Sequence, residues 1–246
     1  MHIDPEILMY LHGLQVTHLL PRDANDLMGF VQRYDAISSD LPGPPAPLKV
    51  SAGAFNLNVT ACGEKTRIEA RLYLPEGIVK PVLMAFFRGG GSVAGGLSKP
   101  GSVDAVLALT PLLKPDFNTA SYIRCANSLT FSHDDAVRSW HGLLGGRWET
   151  WDERAVLLHS NQPIQRPPLV VVVAAEFDGA HDDAVALHDW LREAGARCEF
   201  YGAPGMVHDF ARLQYASAAA RRLLLEALDA FSVLAELKAP DDVAVA

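Results

Sequence analysis

Apolar positions recur along this chain with two different periods, and the alternation between them sets out its architecture. Near the start, Ile7, Leu8, Leu11 and Leu14, then Leu27, Met28, Phe30 and Val31, fall at helical spacings with Pro21 between the groups. They predict two short helices forming an N-terminal cap over residues 1–45. LPGPPAPLKV at 41–50 carries four prolines and one glycine, which predicts an extended passage from cap to core. AFNLNVT and TRIEARLYLP flank the turn-like ACGEK, and Ile68, Ala70, Leu72 and Leu74 alternate as in a half-buried strand, predicting a hairpin.

Beyond the hairpin the strands become apolar throughout. PVLMAFF at 81–87 runs into Gly89, Gly90 and Gly91 and reads as a buried parallel strand closing on a tight loop. DAVLALTPLL at 104–113 is followed by a helical FSHDDAVRSWHGLLGG at 131–146. PLVVVVAAEFD at 168–178 reads as a buried strand, followed by the helix DDAVALHDWLREAG, the strand RCEFYGA and a closing helix over 216–237. Strands alternating with helices predict a mostly parallel sheet with helices on both faces. We expect a single α/β domain over 1–246, with its core in 50–237. The tail APDDVAVA is expected to fray.

Bulk properties narrow the function classes. A chain of 246 residues, 49% hydrophobic, is long enough for one large α/β core. The net charge of -8, with 21 basic against 29 acidic residues, argues against a nucleic-acid surface and favours a small uncharged or cationic ligand. Cys62, Cys125 and Cys198 are widely spaced, which indicates neither a disulfide framework nor a zinc site. No signal-peptide pattern opens the chain and no run of about 18 apolar residues occurs, so a cytoplasmic location without a membrane span is expected. No cofactor is indicated, and a homodimer is left open.

Two residues stand out as candidate chemistry. Asp178 comes at the carboxyl end of a buried strand, where open α/β sheets gather ligand-contacting groups. His208 follows the next strand in PGMVHDF, and an acid followed by a histidine in this order matches hydrolase triads. The carboxylate fixes the imidazole tautomer, and the imidazole has the near-neutral pKa that a general base needs. The plainer reading makes Asp178 a helix cap and His208 a hydrogen-bonded loop residue. Asp182, Asp183, Asp209, His181 and His188 are neighbouring candidates, expected instead to serve as helix N-terminal charge and solvated surface.

With these residues in view, the chain resembles the hormone-sensitive-lipase-like esterases over nearly its whole length. RLYLPEG, PVLMAFFRGGGSVAGG, TPLL and AAEFDGAHDDAVALHDWLREAGARCEFYGAPGMVHDF stand in the family's order. The resemblance implies a shortened α/β-hydrolase fold, activity on small carboxylic esters, and oxyanion-hole roles for Gly89, Gly90 and Gly91. Arg88 replaces the histidine of the family's HGGG loop, and Ser92 stands where an aromatic or apolar residue is usual. The GDSAGG nucleophile elbow is absent from the sequence, which implies an internal deletion between Ala94 and Leu109. Ser92, within GGSVAGG, sits in G-x-S-x-A, close to the G-x-S-x-G elbow, and is the replacement nucleophile to consider. Lys99, Pro100 and Gly101 interrupt any helix after it, so an ordinary loop serine is the competing reading.

Three readings of function follow: a carboxylesterase whose nucleophile is Ser92 or a His208-activated water, an inactive homologue that binds a small molecule or a partner protein, and a poorly folded deletion product. Other motifs carry less. Arg88 suits an ion pair or a carboxylate ligand. His133, Asp134, Asp135 and His141 read as a capped helix start rather than a metal site. Trp140, Trp148 and Trp151 suit either a pocket wall or ordinary packing. The glycine loop lacks the GK[ST] of a phosphate site.

Overall fold

A computed structural model describes residues 2–13, 50–61, 64–75, 105–128, 130–144, 158 and 167–236. The elements are α1 (Pro5–Gly13), β1 (Val50–Ala61), β2 (Glu64–Pro75), β3 (Ala105–Leu109), α2 (Ala120–Arg124), α3 (His133–Leu144), β4 (Leu169–Phe177), α4 (His181–Glu193), β5 (Cys198–Val207) and α5 (Ala218–Glu236), with a 3₁₀ turn at Phe210–Leu213. The chain divides into two compact units, Gly43–Phe86 on the one hand and Met1–Pro42 with Phe87–Ala246 on the other.

The smaller unit holds the hairpin that the alternating pattern predicts. β1 and β2 pair antiparallel without a register break, from Val50 opposite Pro75 to Ala61 opposite Glu64.

In the larger unit, β3, β4 and β5 form a parallel sheet with β4 in the centre. β4 is apolar throughout because both of its faces are covered. Val171, Val173 and Ala175 join Ile7, Met206, Phe210 and Leu224 in one core cluster, beneath α1 and α5. Val170, Val172 and Ala174 face the other way, against Ala184, Leu187 and Leu191 of α4. A strand buried on both faces needs no polar alternation, and each fully buried valine contributes about 1.5–3 kcal/mol. The expected α/β layering, with helices on both faces of a parallel sheet, is what the larger unit shows.

α1 matches the first of the two N-terminal helices, and its Ile7 and Leu11 are buried in the main core. Asp4 caps it, accepting from the amides of Glu6 and Ile7. The second expected cap helix, the proline-rich passage, the PVLMAFF strand and the C-terminal tail lie outside the described residues. The boundaries of α3 follow from a reciprocal cap: Ser132 N–H donates to Asp135 Oδ2 at 2.9 Å, and Asp135 N–H donates back to Ser132 Oγ at 3.3 Å. Trp140 on α3 is buried. Among the described residues, no helix is long and apolar enough to cross a membrane.

The turn between β4 and α4 is fitted tightly to α2. A Cβ added to Gly179 would lie 2.8 Å from Cδ1 and 2.9 Å from Cε1 of Tyr122, whose ring is fully buried. Gly179→Ala is therefore expected to destabilise the protein by about 1–3 kcal/mol, read as a lower thermal midpoint. A variant melting with the wild type would show that the Tyr122 ring gives way freely.

Candidate active site

Asp178 is the first residue past the end of β4, and its carboxylate is almost completely buried. Both oxygens are engaged. Oδ1 accepts from the Ala180 amide at 2.8 Å, which locks the side chain onto its own turn, and Oδ2 lies 2.8 Å from Nδ1 of His208. Asp178 thus gives one oxygen to its own turn and the other to His208; it does not cap α4, whose N-cap is Ala180, without a side-chain cap bond. Facing a carboxylate, Nδ1 of His208 carries the proton, so Nε2 is left as the basic nitrogen.

The loop bearing His208 is shaped by a bulge near the end of β5. Ala175 pairs with Ala203 but Phe177 pairs with Val207, so β5 carries two extra residues there. Gly205 takes up the distortion at φ +75°, donates to the Glu176 carboxylate at 2.9 Å and accepts from the Asp4 amide at 2.9 Å. Just beyond, Asp209 is left-handed at φ 61°, and its amide reaches Thr110 Oγ1 at 3.4 Å. Thr110, at the end of β3, is itself left-handed at φ 43° and is pinned by its amide to the Val173 carbonyl at 2.9 Å. A β-branched residue rarely adopts this conformation, so strain is concentrated at the sheet edge that carries His208.

Electrostatics at His208 oppose one another. Burial disfavours the imidazolium, whereas Asp178, by charge and hydrogen bond, and then Asp209 and Asp183 favour it; the balance raises the imidazole pKa above its ordinary value. One face of the ring is stacked on Phe131, with centroids 4.3 Å apart and planes inclined by 22°.

The neighbouring candidates occupy other places. Asp182 accepts from the Ser121 amide at 2.9 Å, and Ser121 Oγ donates to the Gly179 carbonyl at 2.6 Å, tying the turn after Asp178 to α2. His181 Nδ1 lies 2.9 Å from the Ala175 carbonyl, so this ring belongs to the strand end and not to open surface. His188 sits beside Asp189 at 3.3 Å. Asp183 departs furthest from expectation. It is completely buried, accepting from the Leu113 amide at 3.0 Å. The reason is its place on the helix: Asp183, Leu187 and Leu191 fall four apart on one inward face. Burial pushes its carboxyl up to about 7, against the lowering effect of the Leu113 amide and Lys114.

Gly89, Gly90, Gly91, Ser92 and Arg88 lie outside the described residues, as do Trp148 and Trp151. Among the described residues no group of three or more His, Cys, Asp or Glu could hold a metal, and Asp135 of the SHDD segment is occupied by its cap and by Arg138 at 3.3 Å. A cleft of about 220 Å³ opens near Ile3, Cys125 and Phe177, but neither Asp178 nor His208 lines it. Phe131 and Thr110 were not anticipated near the site, and Asp183, a neighbouring candidate, was expected at the surface and not in the core. Only Asp183 left a signal, in its spacing from Leu187 and Leu191.

Comparison with known proteins bears on the fold. The family model of the alpha/beta hydrolase fold matches residues 84–212, slightly more than half of the chain. A hyperthermophilic esterase from the archeon Pyrobaculum calidifontis is similar in structure, with a TM-score of 0.74 at 13% identity, covering 96% of this chain and 100% of that one. A bacterial heroin esterase has a TM-score of 0.70 at 15% identity, covering 95% of this chain and 97% of that one. A thermostable esterase from Pseudomonas putida ECU1011 has a TM-score of 0.70 at 15% identity, covering 92% and 95% respectively. The chain spans only 43% of DphMB1 and 41% of the esterase LipW from Mycobacterium marinum. No curated protein matches the sequence. Identities this low speak for the fold, and the family match agrees with the resemblance carried by the sequence motifs: the chain belongs to the alpha/beta hydrolase fold family.

Proposed function

We propose that the protein is a carboxylic ester hydrolase acting on short-chain acyl or other small esters. The observation that carries this reading is the 2.8 Å contact between Asp178 Oδ2 and His208 Nδ1 at the carboxyl edge of the parallel sheet. In this reading, Nε2 of His208 is the general base, Asp178 orients the ring and stabilises its protonated form, and the Gly89, Gly90 and Gly91 amides receive the oxyanion. Ser92 is the nucleophile. His208 takes its Oγ proton as the oxygen attacks the ester carbonyl, then returns that proton to the departing alkoxide; water cleaves the acyl-enzyme by the same route. The names of the structural neighbours, esterases all three, support the reaction class.

The absence of the family's GDSAGG elbow favours two other outcomes, a water attacking directly with His208 as base, or a homologue that binds small molecules without turnover. Intact mass after treatment with a fluorophosphonate probe separates them. A single adduct, lost in both Ser92→Ala and His208→Ala, supports the serine mechanism. Hydrolysis without an adduct points to water, and neither adduct nor hydrolysis in well-folded protein points to a binder.

A further inference from the structure

We propose that Phe131 is a positioning residue for His208: its ring, stacked on one face of the imidazole, holds the base in plane with the Asp178 carboxylate and stabilises its protonated form. The inference rests on the reading of His208 as general base, and it assigns a role to a residue outside the acid–base pair.

A single hydrogen bond from Nδ1 to Asp178 fixes one point of the imidazole plane and leaves the ring free to swing about that contact. Nε2 lies on the far side of the ring, so a small swing displaces it most. A surface packed parallel to the ring removes this freedom, and Phe131 supplies one at 4.3 Å and 22°. The aromatic face is negative, so the stack also gains strength when the imidazole becomes charged.

Phe131 is itself well fixed. It directly precedes Ser132, the residue joined reciprocally to Asp135 at the start of α3. The loop before it is closed by the His133 amide donating to the Ala126 carbonyl at 3.1 Å and by the Ser128 amide donating to the Cys125 carbonyl at 2.9 Å. This bracing places the ring before any substrate arrives, which is what a positioning role needs.

Among the described residues, the charged groups facing His208 are Asp178 from the end of β4, Asp183 from α4 and Asp209 on its own turn. All three stay in place when only residue 131 changes, so a change in the imidazole pKa reports on the stack.

The test replaces Phe131 by phenylalanines of increasing fluorination, which keep the shape while draining negative charge from the ring face. The His208 pKa is read by NMR titration of the imidazole, and kcat and KM are measured on the same proteins. The expected result is a stepwise fall in the His208 pKa, reaching roughly 0.4 to 1 with pentafluorophenylalanine. Phe131→Leu, which loses the flat surface, is expected to lower kcat about three- to tenfold with KM within about twofold, and Phe131→Tyr to restore it. An unchanged His208 pKa across the fluorinated series overturns the proposal, as does a Phe131→Tyr protein as impaired as Phe131→Leu. The titration does not depend on turnover, so a wild type without esterase activity would count against the proposed function and leave the stacking inference to be decided by NMR.

Discussion

Asp178→Asn is expected to lower kcat/KM for p-nitrophenyl acetate by about 10³- to 10⁴-fold while leaving the fold nearly intact. Asparagine has almost the same shape, and its carbonyl oxygen still accepts from the Ala180 amide, the bond that Oδ1 of Asp178 makes at 2.8 Å. Its amide nitrogen then faces Nδ1 of His208 and can only donate. The imidazole is forced into the opposite tautomer, with the proton on Nε2, and the base is lost. His208→Ala removes the base itself and is expected to cost at least about 10³-fold. This second variant also leaves one oxygen of a buried carboxylate without its partner, so it should be less stable by about 1–3 kcal/mol. Steady-state kinetics with matched thermal melts check both, and retention of most activity by either variant sinks the acid–base assignment. The pH profile gives a further check. Because the His208 pKa is raised, the acidic limb of kcat/KM should lie above the ordinary histidine value, with the rate rising tenfold per pH unit below it and levelling off above.

Asp183→Asn is expected to stabilise the protein more at pH 8 than at pH 5. In the folded chain this carboxyl keeps its proton up to about pH 7, whereas its ordinary value is 3.8. Between those two values the folded state binds a proton that the unfolded state has released, so stability falls as pH rises. Its contribution is intact below the unfolded value and has been lost once pH passes the folded one, a difference on the order of 2–4 kcal/mol. Asparagine mimics the protonated acid: its oxygen can still accept from the Leu113 amide, and no charge has to be buried. His208 also has a raised pKa and shifts stability with the same sign; losing the Asp183 charge lowers that pKa, so this smaller contribution changes in the same direction as that of Asp183 itself. Denaturant melts of the two proteins at pH 5 and pH 8 give the answer. A stability difference that does not vary with pH would show that Asp183 is not held protonated by burial.

The sheet edge is where local rules and function part company. Thr110 and Asp209 both adopt left-handed backbone without being glycine, and the amide of one meets the hydroxyl of the other beside His208. Neither residue type advertises such a conformation in the sequence, since threonine is an ordinary strand residue and aspartate only tolerates it. The surrounding parallel strands impose it.

The elements could be read along the chain because their signals are local. The unbroken apolar run of β4, the alternation in β2 and the helical spacing of α3 and α4 each depend on neighbours a few residues apart. Reading Asp178 and His208 as candidates was possible for a related reason, since each follows an apolar strand and parallel strands deliver their carboxyl ends to one edge. Other features depend on residues far apart in sequence. The separation of Asp178 and His208 spans 30 positions, the bond that buries Asp183 spans 70, and the one joining Thr110 to Asp209 spans 99. Periodicity shows which face of an element is buried; the partner met on that face is set by packing. For that reason a residue read as helix-start charge became a buried acid, and Phe131, one phenylalanine among ten, came to cover the imidazole.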